Sequence, residues 1–299
     1  MSNKLDFKID YLGEAMNPSP LNLSTKKGDK LANFVDDSSC ILYQIEANVT
    51  NPTILENQGF LELAGPRKNI FFDPAKVHAG IITCGGLCPG LNDVIRSLVL
   101  TLWHQYGVRQ ISGFQFGYRG LLPEFNLDPI SLTPDSVRSI HQDGGTMLGS
   151  SRGHGDRTEE MADTLQKMGV NMLFTIGGDG TQRASLDLSR ALRDRGAPLA
   201  VVGIPKTIDN DLNYIQRTFG FATAVSVADG VVDGAHVEAA GAPNGISLVK
   251  VMGRHSGFIA AATAVANSDV NFVLIPEVPF DLKGENGFLH HLERRIFHR

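Results

Sequence analysis

The sequence predicts an α/β protein in which a mostly parallel sheet is covered by helices on both faces. Three observations predict it. Short, nearly continuous apolar runs such as "VHAGIITCG" and "NMLFTIGG" end in glycine, as strands buried on both faces should. Stretches of helical spacing alternate with them from Val77 onward, the signature of repeated strand–helix units. Charged residues gather just past the apolar runs, where open α/β sheets bind ligands.

Residues 1–76 read differently. They carry Pro18, Pro20, Pro52, Pro66 and Pro74, several Asn and Ser, and only short apolar runs such as "CILYQI". This is an arm with a little strand content, expected to pack on a neighbouring surface or subunit. After the strand "VHAGIITCG", the stretch "LNDVIRSLVLTLWHQYG" has Val94, Leu98 and Leu102 at helical spacing and closes on Gly107. "QISGFQFG" predicts a strand. "TPDSVRSIHQDGG" predicts a helix capped by Thr133 with Pro134 in its first turn. "DRTEEMADTLQKMG" is an amphipathic helix that opens with acids and closes with Lys167 and Gly169, both favourable to its dipole. Then come a strand "NMLFTIGG", a helix "TQRASLDLSRALRDRG" and a strand "LAVVGIP". Beyond them the pattern predicts a helix near "TAVSVADGVVDGAHVEAAG", a strand "ISLVKVMG", a helix "SGFIAAATAVANS" and a strand "VNFVLIP". In "FLHHLERRIFHR", Phe288, Leu292 and Ile296 share one helical face and the chain stops without a cap. It reads as part of a longer protein.

Composition narrows the class. A chain of 299 residues with 42% hydrophobic and 20% charged residues is an ordinary globular protein, long enough for two domains. A net charge of -5 argues against a nucleic-acid surface. No apolar run reaches the roughly 18 residues of a membrane span, and "MSNKLDFKID" lacks the apolar core of a signal peptide. Three cysteines, Cys40, Cys84 and Cys88, are too few for a disulfide framework and fit a reducing cytoplasm. Cys84 and Cys88 have no second Cys/His pair at zinc spacing nearby, so they read as small packed residues.

Four strand ends carry the candidate chemistry. In "TCGGLCPGLNDVIR", Gly85, Gly86 and Gly90 precede a helix whose N-terminus would offer unpaired N–H groups to phosphate; a tight turn alone would also need glycines. In "GGTMLGSSRGHGDR", Arg152 stands among glycines, open to bidentate approach by a polyphosphate or simply exposed on a loop. In "TIGGDGTQRAS", Asp179 lies between Gly178 and Gly180 at a strand-to-helix junction. Such a carboxylate can hold Mg²⁺, which takes one or two carboxylates and completes its shell with phosphate and water; the alternative is an acid capping the helix. In "GIPKTIDNDL", Lys206, Thr207, Asp209 and Asp211 crowd one strand end, a costly arrangement unless a ligand or metal shares it. Phosphoryl transfer needs a metal, a cation on the phosphates and a base at the acceptor hydroxyl. Asp209 is the candidate base, Thr207 binds the acceptor, and Asp211 supports the metal or orients the loop. "VKVMGRHSGF" adds Arg254 before a helix, to bind substrate or the charge of transfer, or to form a structural ion pair.

Together, "GGLCPGLN", "FGYRGL", "GGTMLGSSR", "GGDGT", "PKTIDND" and "VMGRHSGFIA" resemble, in that order, the 6-phosphofructokinase family from Val77 to the last residue. The arm, with "FVDD" and "AGPRKNIFFDP", resembles that of the plant and protist branch, and the combination of Gly180 with Lys206 resembles plant and trypanosomatid enzymes, which use ATP. The resemblance implies two Rossmann-like domains after the arm: a nucleotide-binding α/β domain over 77–221 and a partial sugar-phosphate-binding α/β domain over 222–299. It implies Mg²⁺-assisted transfer from ATP to the 1-hydroxyl of fructose 6-phosphate, giving fructose 1,6-bisphosphate in glycolysis, by a cytoplasmic homo-oligomer, dimer or tetramer. By motif, Asp209 accepts the proton, with Lys206, Thr207, Asp211 and Arg254 in the catalytic group. Thr207, Ile208, Asp209, Met252, Gly253 and Arg254 bind the sugar phosphate. Gly85, Tyr118, Arg152, Gly153, Gly178, Asp179, Gly180 and Thr181 hold the donor, and Asp179 the metal.

Family members that use pyrophosphate have Asp where this chain has Gly180, and that carboxylate would face the α-phosphate of ATP. Like unit charges 4 Å apart cost about 4 kcal/mol at an effective dielectric near 20. Lys206, however, matches the pyrophosphate users, so a pyrophosphate-dependent phosphotransferase stays open beside ATP; so does a non-catalytic or regulatory subunit of the same fold. Gly245 stands where bacterial relatives have an Arg, so their allosteric relay is not expected. The family continues well past Arg299, with an Ala-Glu-Gly strand end and basic residues for the 6-phosphate. The 299-residue chain is therefore expected to bind sugar phosphate poorly and to turn over little.

Overall fold

The structure, a computed structural model, describes residues 7–26, 28–29, 31–43 and 59–298. Gln44 and Ile45 of the expected arm strand, and Pro52, lie outside the described residues. Among the described residues of the arm, β1 (Asn17–Pro18) pairs antiparallel with β4 (Asn69–Ile70), and β2 (Cys40–Leu42) with β3 (Phe60–Glu62). The Asp10 carboxylate accepts from Arg193 at 2.7 Å, tying the arm to the main body.

The central sheet has five strands, β5 (His78–Thr83), β6 (Gln110–Phe114), β7 (Ile130–Ser131), β8 (Met172–Gly177) and β9 (Ala200–Pro205), in the order β7-β6-β5-β8-β9. All pairs are parallel except that of β6 with the edge strand β7. Every residue of β5 is buried, as a central parallel strand requires. Alternation splits its side chains between two cores. Ala79 and Ile81 join Leu91, Ile95 and Val99 of α1 (Leu91–Leu100) on one face. Ile82 faces the other way, toward Met161 and Leu165 of α2 (Thr158–Lys167) and Leu188 and Leu192 of α3 (Asp179–Asp194). Helices thus cover both faces, as expected. The chain runs from β5 to one side and returns to β8 on the other, so the strand order reverses between β5 and β8. That switch point is where such a sheet opens a crevice for a ligand.

Two parts of the sequence reading are corrected. Residues 133–142 form turns and a single 3₁₀ turn at Ile140–Gln142 instead of a helix. The cap itself is present: Thr133 Oγ1 accepts from the Ser136 N–H, and Ser136 Oγ accepts from the Thr133 N–H. Val137 and Ile140, three residues apart, are both buried. That spacing suits a 3₁₀ turn, and Gly144 and Gly145 follow before an α-helix can propagate.

The second correction concerns the far half. There α4 (Phe221–Ala240), α5 (Phe258–Ala266) and α6 (Phe288–Phe297) form as expected, but 246–253 and 270–276 are not strands. Among the described residues neither segment has a ladder partner, and an extended backbone without one gains no inter-strand hydrogen bonds. Several of their apolar residues stay exposed, Leu248 at 89%, while Val249, Val251, Val270 and Ile275 are half-buried. Val227, Val231 and Val237 of α4 and Val265 of α5 are exposed as well.

A Cβ at Gly80 in β5 would lie 2.8 Å from the Phe114 ring and 3.0 Å from Leu173. Gly80→Ala is therefore expected to overpack the sheet and lower unfolding free energy by about 1–3 kcal/mol, read as a lower urea midpoint.

Candidate active site

Three loops leave the carboxyl ends of β5, β8 and β9 side by side. Parallel pairing sets their height: Thr83 is opposite Ile176, and Gly177 is opposite Pro205. Past the sheet, the Lys206 N–H donates to the Gly177 carbonyl at 2.9 Å. A fourth segment, 146–155, is drawn in by hydrogen bonds to β5 and α1. Thr83 Oγ1 donates to the Gly149 carbonyl at 2.6 Å, and Asn92 Oδ1 accepts from the Met147 N–H at 2.8 Å. The Gly85 N–H then donates to the Ser151 carbonyl at 2.8 Å, and Ser150 Oγ to the Gly85 carbonyl at 2.6 Å. This crosslink brings Arg152 beside residues that precede it by more than sixty positions.

The four segments enclose a cleft of about 340 Å³ lined by Gly85, Tyr118, Arg152, Gly153, Gly178, Asp179, Gly180, Thr181 and Lys206, together with Gly86 and Gly155. Every donor-binding residue expected from the sequence is on its wall. A Cβ at Gly85 (φ +84°) would stand 3.4 Å from Lys206 Nζ, and one at Gly86 3.5 Å from an Arg152 nitrogen. The two glycines are the floor across which both cations approach. Gly177 is needed by packing, since a Cβ there would meet Thr181 Oγ1 at 2.2 Å, but one at Gly180 would meet nothing within 4 Å. The fold does not require glycine at 180.

Lys206 is 5% exposed and donates through Nζ to the Gly86 carbonyl. Burial, the largest cause, pushes its pKa below the usual lysine value, and Arg152 adds to the shift. Tyr118 is buried; its hydroxyl donates to the Thr181 carbonyl at 2.8 Å and lies 3.1 Å from Ser185 Oγ. It supports the start of α3 from beneath, and its hydroxyl is already committed. Burial pushes the Cys84 thiol up to about 12, so it stays protonated at neutral pH.

Gly178 precedes α3 without any side-chain cap, leaving the first N–H groups of that helix open to the cleft. Asp179 accepts from Arg183 Nε at 2.9 Å, with both side chains exposed. Such a surface pair contributes little and yields readily to a stronger partner. Among the described residues no cluster of three His, Cys, Asp or Glu is placed to hold a metal, and Asp179 is the only carboxylate on the cleft wall. That donor set suits Mg²⁺, which draws its remaining ligands from phosphate and water, and does not suit zinc.

Thr207, Ile208, Asp209 and Asp211 lie on the loop after Lys206 and do not line this cleft. Thr207 Oγ1 donates to Asp211 Oδ1 at 2.6 Å and accepts from the Asp209 N–H at 3.2 Å. Asp211 therefore orients the loop. Ile208 packs its side chain against the core, leaving only its backbone available to a ligand. The loop is held from the far half by Ser256, whose Oγ donates to the Asp209 carbonyl at 3.1 Å, and from within by Thr218, whose Oγ1 donates to the Thr207 carbonyl. Asp209 Oδ1 is buried with no hydrogen-bond partner among the described residues. Desolvation chiefly, and the Asp211 charge next, raise its pKa; the Arg254 backbone N–H and guanidinium pull the other way. Met252, 62% exposed, Gly253 and Arg254 form the adjoining turn, outside the cleft. At Gly245 a Cβ would lie 2.1 Å from the Ala239 carbonyl oxygen, so this backbone admits no side chain there.

Thr218, Ser256 and Glu277 escaped the sequence reading. Both Glu277 carboxylate oxygens accept from the Gly257 N–H, at 2.8 and 3.0 Å, which fixes the start of α5 next to Arg254. The proline after Ile275 ends an apolar run just as "GIPKT" does, and that parallel was the available signal for Glu277.

An aspartic acid with a raised pKa holds a proton in the folded state that the unfolded chain has already lost. Its stabilising contribution is full below the ordinary carboxylate value and is lost as pH rises through the folded value. Asp209→Asn is therefore expected to raise the urea midpoint near pH 7, and the gain should vanish as pH falls below the ordinary carboxylate range.

A phosphofructokinase family model matches residues 78–298. An ATP-dependent 6-phosphofructokinase of Borreliella burgdorferi is 53% identical over 100% of this chain and 66% of its own length. One from Trypanosoma brucei brucei is 46% identical over 98% of this chain and 59% of its own. The chain thus spans about three-fifths to two-thirds of these relatives. A crystal structure of a pyrophosphate-dependent phosphofructokinase from Marinobacter aquaeolei aligns with a TM-score of 0.57 at 24% identity, covering 69% of this chain and 54% of that one. That likeness bears on the fold alone.

Proposed function

The chain belongs to the phosphofructokinase family, and we propose that its site transfers a phosphoryl group from ATP to the 1-hydroxyl of fructose 6-phosphate. The observation that carries this reading is the Asp209 carboxylate oxygen, buried and unpartnered beside a cleft walled by two cations and one metal-competent acid. A carboxylate held above its ordinary pKa, with one oxygen unpartnered among the described residues, is poised to take a proton.

In this reading Arg152, Lys206 and the open N–H groups of α3 hold the donor phosphates. Bound Mg²⁺ would be held by Asp179, displacing Arg183, and would offset phosphate charge. Thr207, Arg254 and the backbone at Ile208, Met252 and Gly253 orient the sugar. Asp209 removes the hydroxyl proton as the sugar oxygen attacks the terminal phosphorus; the bond to the bridging oxygen breaks and ADP leaves. The products are fructose 1,6-bisphosphate and ADP. The exposed apolar faces of α4 and α5 fit a homo-oligomer, and the glycolytic reaction fits the cytoplasm.

One observation favours a second donor. The buried Lys206 ammonium, without a carboxylate partner in the cleft, also suits pyrophosphate. Open space at Gly180 and the ATP-dependent relatives support ATP. Side-by-side assays with ATP and pyrophosphate on the full-length protein decide between them; strict dependence on pyrophosphate overturns the donor assignment.

Two variants test the chemistry. Asp209→Asn should lower kcat by about 10²–10⁴-fold while nucleotide binding persists; unchanged turnover would remove Asp209 as the base. Gly180→Asp should cut kcat/KM for ATP by at least roughly tenfold through charge repulsion, reduced by added salt.

A further inference from the structure

We infer that the N-terminal arm positions the Asp209 loop through a clamp of three aromatic rings, Phe7, Tyr43 and Tyr214. The inference rests on the phosphotransfer reading above only for its kinetic consequence. Phe7 and Tyr43 belong to the arm; Tyr214 lies midway along the loop of residues 206–220 that also carries Thr207, Asp209 and Asp211. The three ring centroids are mutually close: 5.3 Å for Phe7–Tyr43, 5.1 Å for Phe7–Tyr214 and 5.2 Å for Tyr43–Tyr214. The two contacts to Tyr214 are edge-on, the arrangement favoured by ring quadrupoles.

The backbone shows why the clamp is needed. Two residues of the loop adopt left-handed conformations, Asn210 (φ +55°) and Tyr214 (φ +67°). Asparagine tolerates that region, and here its side chain is fully used: Oδ1 accepts from the Thr218 N–H at 2.8 Å and Nδ2 donates to the Gln216 carbonyl at 3.1 Å. A bulky tyrosine does not tolerate it unless its surroundings hold it there. Tyr214 is 52% exposed and joins neither core cluster. What grips it is the pair of arm rings. The arm also meets α3, where Asp10 accepts from Arg193. The loop is therefore fixed at its start by Lys206, at Asp209 by Ser256, toward its end by Thr218, and midway by the arm rings on Tyr214.

The test compares Phe7→Ala, Tyr214→Ala, Tyr214→Phe and Tyr214→Gly in the full chain. Two readouts are used: amide hydrogen exchange over residues 206–214 and steady-state kinetics. Phe7→Ala and Tyr214→Ala are expected to speed exchange in that segment about tenfold, leaving β5 and β8 unchanged. They should also lower kcat by roughly 10- to 100-fold with little change in KM for the nucleotide. Tyr214→Phe keeps the ring and should behave as the parent. Tyr214→Gly relieves the backbone yet removes the ring, so it should behave as Tyr214→Ala; parent-like behaviour would show that the rings hold nothing. Unchanged exchange in Phe7→Ala, or faster exchange with unchanged kcat, overturns the inference. If the parent transfers phosphate from no donor, the functional reading fails, and exchange alone still decides the clamp.

Discussion

Parallel pairing of β5, β8 and β9 is the constraint on which the site depends. Because the strands run the same way and their ends stand level, each delivers its loop to the same rim. The single hydrogen bond from the Lys206 N–H to the Gly177 carbonyl extends the ladder one step past the strands. It sets the ammonium against the glycine floor and starts the Asp209 loop at a fixed height. An antiparallel neighbour would have sent one of these loops to the opposite edge. The Arg152 segment is not part of the ladder, yet it is stitched to the same rim through Gly85 and Ser151.

Electrostatic cost is concentrated where the chemistry is. Lys206 is buried with a carbonyl for company, and Asp209 holds a buried oxygen with no donor. Neither arrangement stabilises the folded chain, since burial penalises both charged forms. The glycines divide along the same line. At Gly177 the packing excludes a side chain, while at Gly180 the space is open. A glycine the fold does not demand leaves room for something other than the protein, and Gly180 is such a position on the cleft wall. Tyr214 adds a strained backbone, kept in place by the arm rings within the Asp209 loop.

Most of the five-stranded sheet and its helices was legible, and the reasons are local. β5, β8 and β9 announce themselves as apolar runs closing on Gly or Pro, α1 by its spacing, and α2 and α3 by spacing and by Gly169 and Gly196 just past their ends. The reading failed where local signals competed. Thr133 and Ser136 cap each other as a helix start would, but the buried spacing of Val137 and Ile140 and the glycines beyond them favoured turns. It failed again at 246–253 and 270–276, where apolar composition alone cannot supply a neighbouring strand. Thr218, Ser256 and Tyr214 were invisible because a hydroxyl or a ring in a polar loop carries no local mark of what it will touch.

By itself the sequence determined the order of strands and helices, the glycine turns and the kinds of charge at each strand end, because periodicity and turn chemistry act over a few neighbouring residues. Only the tertiary structure decided that Arg152, Asp179 and Lys206 share one cleft, and that Asp209 keeps an oxygen without a partner among the described residues. Register and desolvation arise when segments distant in the chain exclude water from one another, and no stretch of residues encodes that alone.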